Sequence, residues 1–247
     1  QGDGPGTLAA KVRPFILRRL KEEVLSELPP KIEHRLLSEL TREQKKLYLA
    51  YLERLRNETR ECIRDEGFNK SRIQILAGLT RLRQICCHPA LFVENYRGES
   101  AKLLQLQELL REAVDGGHRI LLFSQFTKML QLIRATLDRD GYRYFYLDGS
   151  VKTEDRLQMI ESFNNGNAEI FLISLKAGGT GLNLTGADIV IQYDLWWNPA
   201  VEDQATDRTY RIGQTHNILI HRLISLGTFE EKIDEMLTAK KELADLT

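Results

Sequence analysis

The sequence predicts an α/β fold, a parallel sheet with helices on both faces, preceded by and packed with a helical arm. Two observations carry this reading. From Ser100 onward, short apolar runs such as RILLF (119–123) and EIFLIS (169–174) alternate with stretches of helical periodicity. Strand, helix, strand with short connections is the pattern of a parallel sheet, and near-continuous apolar strands are those buried on both faces. Before Ser100 the texture differs, being rich in Arg, Glu and Leu with almost no strand signal.

In chain order, a first helix begins near Arg13 and is stopped by Pro29 and Pro30, because proline removes a donor and restricts the residue before it. Ile32, His34 and Leu36 alternate with polar residues and predict a strand. Thr41 followed by Gln44 is a capping box, opening a long helix whose apolar face carries Leu47, Tyr51, Leu55 and Cys62. Gly67 breaks it. A second helix from about Arg72 to Cys87 presents Ile75, Leu76, Leu79, Leu82 and Ile85 as its stripe.

A helix over 102–114 then ends at Gly116 and Gly117. Strand 119–123, helix 127–138, strand 142–147 and a helix from Thr153 to about Asn164 follow. Strand 169–174 leads through a glycine loop to strand 188–194. Pro199 opens a helix bearing Arg208 and Arg211, strand 218–224 comes next, and a final helix covers 228–243 with Lys240 and Lys241 near its end.

Composition narrows the function classes. The chain has 247 residues, 42% hydrophobic and 28% charged, as in ordinary globular proteins. No apolar run approaches the roughly 18 residues that span a bilayer, and the opening QGDGPGTLAA lacks the regions of a signal peptide. An intracellular protein, cytoplasmic or nuclear, with no membrane partner is expected. Three cysteines make no disulfide framework and, with Cys86 and Cys87 adjacent, no metal-ligand spacing. Net charge is zero, yet residues 1–97 hold 19 Lys and Arg against 13 Asp and Glu, a balance the remainder reverses. That basic arm hints at a polyanion.

Ligands of such sheets bind beyond the carboxyl ends of the strands, and three loops fall there. The first carries Ser124 and Gln125, and the second Asp148, Gly149 and Ser150. The third, SLKAGGTGLNLTGAD (174–188), holds Ser174, Lys176, Gly179 and Gly181. Its glycines let backbone amides approach a phosphate closely, but it is neither a GxxxxGK[ST] nor a GxGxxG loop. Beyond Trp196 and Trp197, the stretch DQATDRTYRIGQT (203–215) puts Arg208 and Arg211 three apart on one helix face with Gln204 nearby. Two fixed, forked charges suit a phosphate. With no cradle of their own, they read as fingers offered to a nucleotide held elsewhere.

Taken in order, 174–188 followed by 203–215 resembles motifs V and VI of superfamily 2 helicases, and QATDRTYRIGQ resembles the arginine-finger motif of SWI/SNF-family DNA translocases. FILRRLKEEVLSELPPK (15–31) is similar to that family's segment entering a helical protrusion, and LRQICCHP (82–89) to the end of the second protrusion. RILLFSQF is similar to motif IV, and TFEEKIDEM (228–236) to the helix bracing the two lobes.

The resemblance implies a C-terminal RecA-like lobe with helical protrusions. Residues 1–31 would end the first protrusion and cross over, and 32–99 would supply a strand and the second protrusion. Residues 100–225 would form the lobe, and 226–247 the brace and C-terminal helix. It implies ATP with magnesium, the metal ligands lying on a first lobe, since no GK[ST] loop or DE[AG]H sequence occurs here. Arg208 and Arg211 would be catalytic fingers, with Gln204, Gly179 and Gly181 at the nucleotide. Ser124, Gln125, Ser174, Lys176 and Trp197 would face double-stranded DNA. Lys176 and Thr180 depart from the Arg and Leu or Val frequent in relatives. The implied partners are duplex DNA and the first lobe, with the chain a monomer that is inactive alone. A strand-separating helicase lobe and a non-catalytic binding module are the alternatives.

Overall fold

The computed structural model describes residues 31–178, 182–195 and 217–247. The helix expected from Arg13, Gly179 to Gly181, the Trp196–Trp197 pair and the arginine helix from Pro199 lie outside the described residues.

Six parallel strands form one sheet: β1 (Lys31–Ser38), β2 (Ile120–Ser124), β3 (Tyr144–Leu147), β4 (Ile170–Ser174), β5 (Ile189–Gln192) and β6 (Ile218–Ser225). Their spatial order is β1-β6-β5-β2-β4-β3. The helices among the described residues are α1 (Arg42–Glu66), α2 (Phe68–Cys87), α3 (Ala101–Asp115), α4 (Thr127–Asp140), α5 (Thr153–Asn164), the single turn α6 (Leu175–Gly178) and α7 (Phe229–Leu246). None is long and apolar enough to cross a membrane.

The strands alternate their side chains between two cores. Leu121, Phe123, Phe171, Ile173 and Val190 pack on one face with Ile160 and Phe163 of α5. Ile120, Leu122, Ile170, Leu172 and Ile191 pack on the other with α3 (Leu106, Leu110) and α4 (Met129, Ile133, Leu137). Strands β2, β4 and β5 are buried throughout, as their unbroken apolar runs predict.

Helices α1 and α2 form a hairpin with its own core of Tyr48, Leu55, Leu82, Ile85 and Cys86. Its start is the predicted capping box: Thr41 Oγ1 accepts from Gln44 N, and Gln44 Oε1 accepts from Thr41 N, each at 3.2 Å. Such a cap is worth about 1 kcal/mol. Gln44 does more, because it is fully buried and its side chain also reaches Ile85 O (3.0 Å) and Ala101 N (2.9 Å). One residue therefore ties α1 to the end of α2 and the start of α3.

Gly67, at φ +82°, joins the two helices without a linker, so α2 begins at Phe68, four residues earlier than the periodicity suggests. At Gly78 the Leu55 side chain of α1 occupies the space a Cβ would take, so any larger residue there requires Leu55 to move. Leu76, expected in the apolar stripe, is half exposed. At the other end α7 runs on to Leu246, which leaves Lys240 and Lys241 more than a turn inside the helix and away from its negative terminus.

The three thiols differ sharply. Burial pushes the Cys86 thiol up to about 12 and raises Cys87 well above its ordinary value, whereas Cys62 is partly exposed. Only thiolate reacts with alkylating agents. Iodoacetamide at neutral pH is therefore expected to label Cys62 in the native protein, and Cys86 and Cys87 only after unfolding. Peptide mapping that finds all three labelled together would contradict the packing of α2 against the sheet.

Candidate functional site

The strand order creates a crevice. The chain leaving β2 runs toward β3 and β4, while the chain leaving β5 runs the opposite way to β6. Adjacent strands whose connections diverge leave a gap at their carboxyl ends, where ligands of open α/β sheets bind. The residues flanking that gap are Ser124 and Gln125 after β2, and Tyr193, Asp194 and Leu195 after β5.

These two exits are bonded to each other. Asp194 is buried; its carboxylate accepts from the Ser124 hydroxyl and from Gln125 N at 3.1 Å. Gln125 Nε2 donates to Leu195 O at 3.0 Å. Two further cations come from outside the sheet. The Arg83 guanidinium of α2 donates to Leu195 O, and Lys102 Nζ of α3 donates to Tyr193 O at 3.0 Å. Lys102 also pairs with Glu230 of α7 at 2.6 Å. Tyr193 Oη and Ser100 Oγ both donate to Cys87 O at 2.7 Å.

The electrostatics follow from burial. Desolvation raises the Asp194 carboxyl, against the pull of Ser124, Lys102 and Arg83. It lowers Arg83, with the Asp194 charge opposing. For Lys102, burial acts downward but Glu230 and Cys87 outweigh it, so the ammonium ends above its usual value. Burial raises Glu230 despite Lys102. The 2.6 Å contact decides for the charged pair, because Glu230 Oε1 also accepts from Ser225 N at 2.8 Å and a carboxylate satisfies both donors.

The predicted DNA-facing residues separate here. Ser124 and Ser174 sit side by side in register at the ends of β2 and β4, and both are buried. Ser124 Oγ serves Asp194 and accepts from Phe126 N, and Ser174 Oγ accepts from Ala177 N at 3.2 Å, starting α6. Gln125 is half-buried with its amide spent on Leu195. Lys176, on the one-turn helix, is exposed. Of the four described candidates it alone presents a free-standing polar side chain at this edge. Gly179, Gly181, Trp197, Gln204, Arg208 and Arg211 lie outside the described residues.

Residue-type reasoning passed over Arg83, Lys102, Asp194 and Glu230. One signal was present: Lys102 stands in the helical row of Leu106 and Leu110, a core position where a charge needs a partner. Among the described residues no three His, Cys, Asp or Glu side chains are grouped to bind a metal ion, and Asp194 is consumed by Ser124 and Gln125.

Comparison with known proteins agrees with this geometry. The helicase conserved C-terminal domain matches residues 101–213, and the SNF2-related domain matches residues 3–91. The putative ATP-dependent helicase/translocase YwqA of Bacillus subtilis is 42% identical over 97% of this chain, which spans 26% of that protein. The SWI2/SNF2 ATPase C-terminal domain of Sulfolobus solfataricus superposes with a TM-score of 0.72 at 36% identity, covering 86% of this chain and 87% of that one. The ATPase core of the same organism, in complex with double-stranded DNA, gives 0.75 at 39% identity over 87% of this chain and 45% of that one.

Proposed function

This chain belongs to the SNF2 family of ATP-dependent helicases, as its C-terminal ATPase domain, and from that premise we propose that it is the second lobe of an intracellular double-stranded DNA translocase. The observation that supports the reading best is the crevice at the carboxyl edge of a parallel sheet, with an exposed lysine two residues beyond β4 and both flanking exits pinned. The lobe division follows that of the family, with residues 100–225 as the RecA-like body, 32–99 carrying the second protrusion, and 226–247 the brace.

In this reading ATP is held on a first lobe, whose residues also bind magnesium. Arg208 and Arg211 reach its transferring γ-phosphoryl group, where negative charge spreads over the equatorial oxygens as the bond to the leaving phosphate loosens. A guanidinium already in place stabilises that charge without solvent reorganisation. Gln204 lies beside the nucleotide, and Gly179 and Gly181 let motif V approach nucleotide and DNA together. Lys176 takes a DNA phosphate and Trp197 faces the duplex, whereas Gln125, its amide nitrogen bonded to Leu195 O, supports that edge from within. Ser124 and Ser174, whose hydroxyls are occupied, shape that edge from within. Contacts of this kind position the duplex and read no sequence.

The test is the ATPase activity of the lone chain with and without duplex DNA, and again after a family first lobe is supplied. Background turnover alone and DNA-stimulated turnover on reconstitution are expected. Robust hydrolysis by the lone chain would overturn the proposal, since it would require a phosphate cradle within this sequence.

A further inference from the structure

Directly beneath the crevice lie four buried charges from four parts of the chain: Arg83 of α2, Lys102 of α3, Asp194 beyond β5 and Glu230 of α7. Burying a charge costs several kcal/mol, and an ion pair often does no more for stability than apolar side chains of the same shape. Fold stability alone therefore gives little reason for such a cluster. What distinguishes it is where the donors go. Lys102 and Arg83 each reach a backbone carbonyl, those of Tyr193 and Leu195, and Gln125 joins Arg83 on the latter. Asp194 between them is held by its side chain from the β2 exit. Three consecutive residues are thus fixed from α2, α3 and the end of β2. They are the last residues before Trp196 and the arginine-bearing stretch.

We propose that Arg83 and Lys102 are positioning residues for ATP hydrolysis, setting the point and direction at which the chain leaves β5 and so the placement of Arg208 and Arg211. The inference rests on the finger reading of those two arginines. It adds a route by which the helical hairpin and the brace helix act on catalysis. Arg83 sits near the end of α2 and reads the hairpin's position on Leu195 O, and Glu230 ties α7 to the same cluster through Lys102. A shift of either helix is transmitted to the β5 exit through charged hydrogen bonds, without touching nucleotide.

The experiment compares Lys102→Met/Glu230→Gln, Arg83→Gln, Arg83→Lys and Arg211→Ala in the full chain carrying both lobes. The double variant removes both charges together and leaves an acceptor for Ser225 N, so its melting temperature should stay close to wild type. Its kcat should fall about 100-fold with KM for ATP and duplex affinity unchanged, as expected when reacting groups are displaced by about 1 Å. Arg83→Lys should recover part of the kcat lost in Arg83→Gln. Wild-type kcat in a folded double variant, or in Arg83→Gln, would overturn the positioning role. Should the double variant fail to fold, the kcat difference between Arg83→Gln and Arg83→Lys decides, and equal rates would reject it. If Arg211→Ala also hydrolyses normally, the finger reading has failed instead.

Discussion

Arg211→Ala in a chain carrying both lobes is expected to lower DNA-stimulated ATP hydrolysis by about 10³-fold or more, with duplex affinity nearly unchanged. The magnitude follows from when the guanidinium acts. On the proposed function, ground-state ATP would already be neutralised by the first lobe and its metal, so the finger's charge would matter most as the γ-phosphoryl group separates. Interactions stronger in the transition state than in the ground state appear in kcat. KM for ATP should therefore move little. Arg211→Lys should remain poor, because an ammonium keeps the charge but lacks the planar fork. Duplex binding would depend instead, on the proposed function, on phosphate contacts along the sheet edge, and its affinity should fall with salt in wild type and variant alike. Steady-state ATPase with titrated DNA measures both quantities. A variant that retained more than a tenth of wild-type turnover would place the finger elsewhere.

The largest stability effect is expected at Asp234. In register, Arg35 of β1 and Arg222 of β6 are neighbours, and Asp234 on α7 reaches both, at 2.5 Å and 2.6 Å. Asp234 is fully buried and the Arg222 side chain is 7% exposed, whereas that of Arg35 is 43% exposed. Asp234→Ala strips a buried guanidinium of its carboxylate and should cost about 3–5 kcal/mol. Arg35→Ala, whose charge is already solvated, should cost at most about 1 kcal/mol. The double change Asp234→Leu/Arg222→Met should cost far less than Asp234→Ala alone, since neither charge is then left behind. Urea unfolding of the three variants gives the comparison. A small loss for Asp234→Ala would mean that α7 is not anchored through this carboxylate. The consequence reaches function, because α7 also holds Glu230 at the crevice, four residues earlier on the same helix.

Much of this architecture was legible in residue order. The Thr41–Gln44 box predicts the start of α1, Gly67 its end, and RILLF and EIFLIS the central strands, because capping and apolar periodicity are local properties. Motif order identified the family for the same reason. Harder to read was that the alternating Ile32, His34, Leu36 run pairs with β6 at the far edge of the sheet, since nothing in either strand names its partner. Exposure was harder still. Ser124 and Lys176 look equally suited to a DNA phosphate, yet one is enclosed against Asp194 and the other stands in solvent.

The sequence by itself determined the alternation of strand and helix, the family, and which residues have the chemistry to meet phosphate. Only the tertiary structure decided which polar side chains remain available for it. A hydroxyl or guanidinium bonds to whatever acceptor the packing brings near, and that acceptor is a hundred or more residues away for Arg83 and about seventy for Ser124. Local pattern carries no record of such distances. They arise when the sheet closes and the hairpin and α7 pack against it.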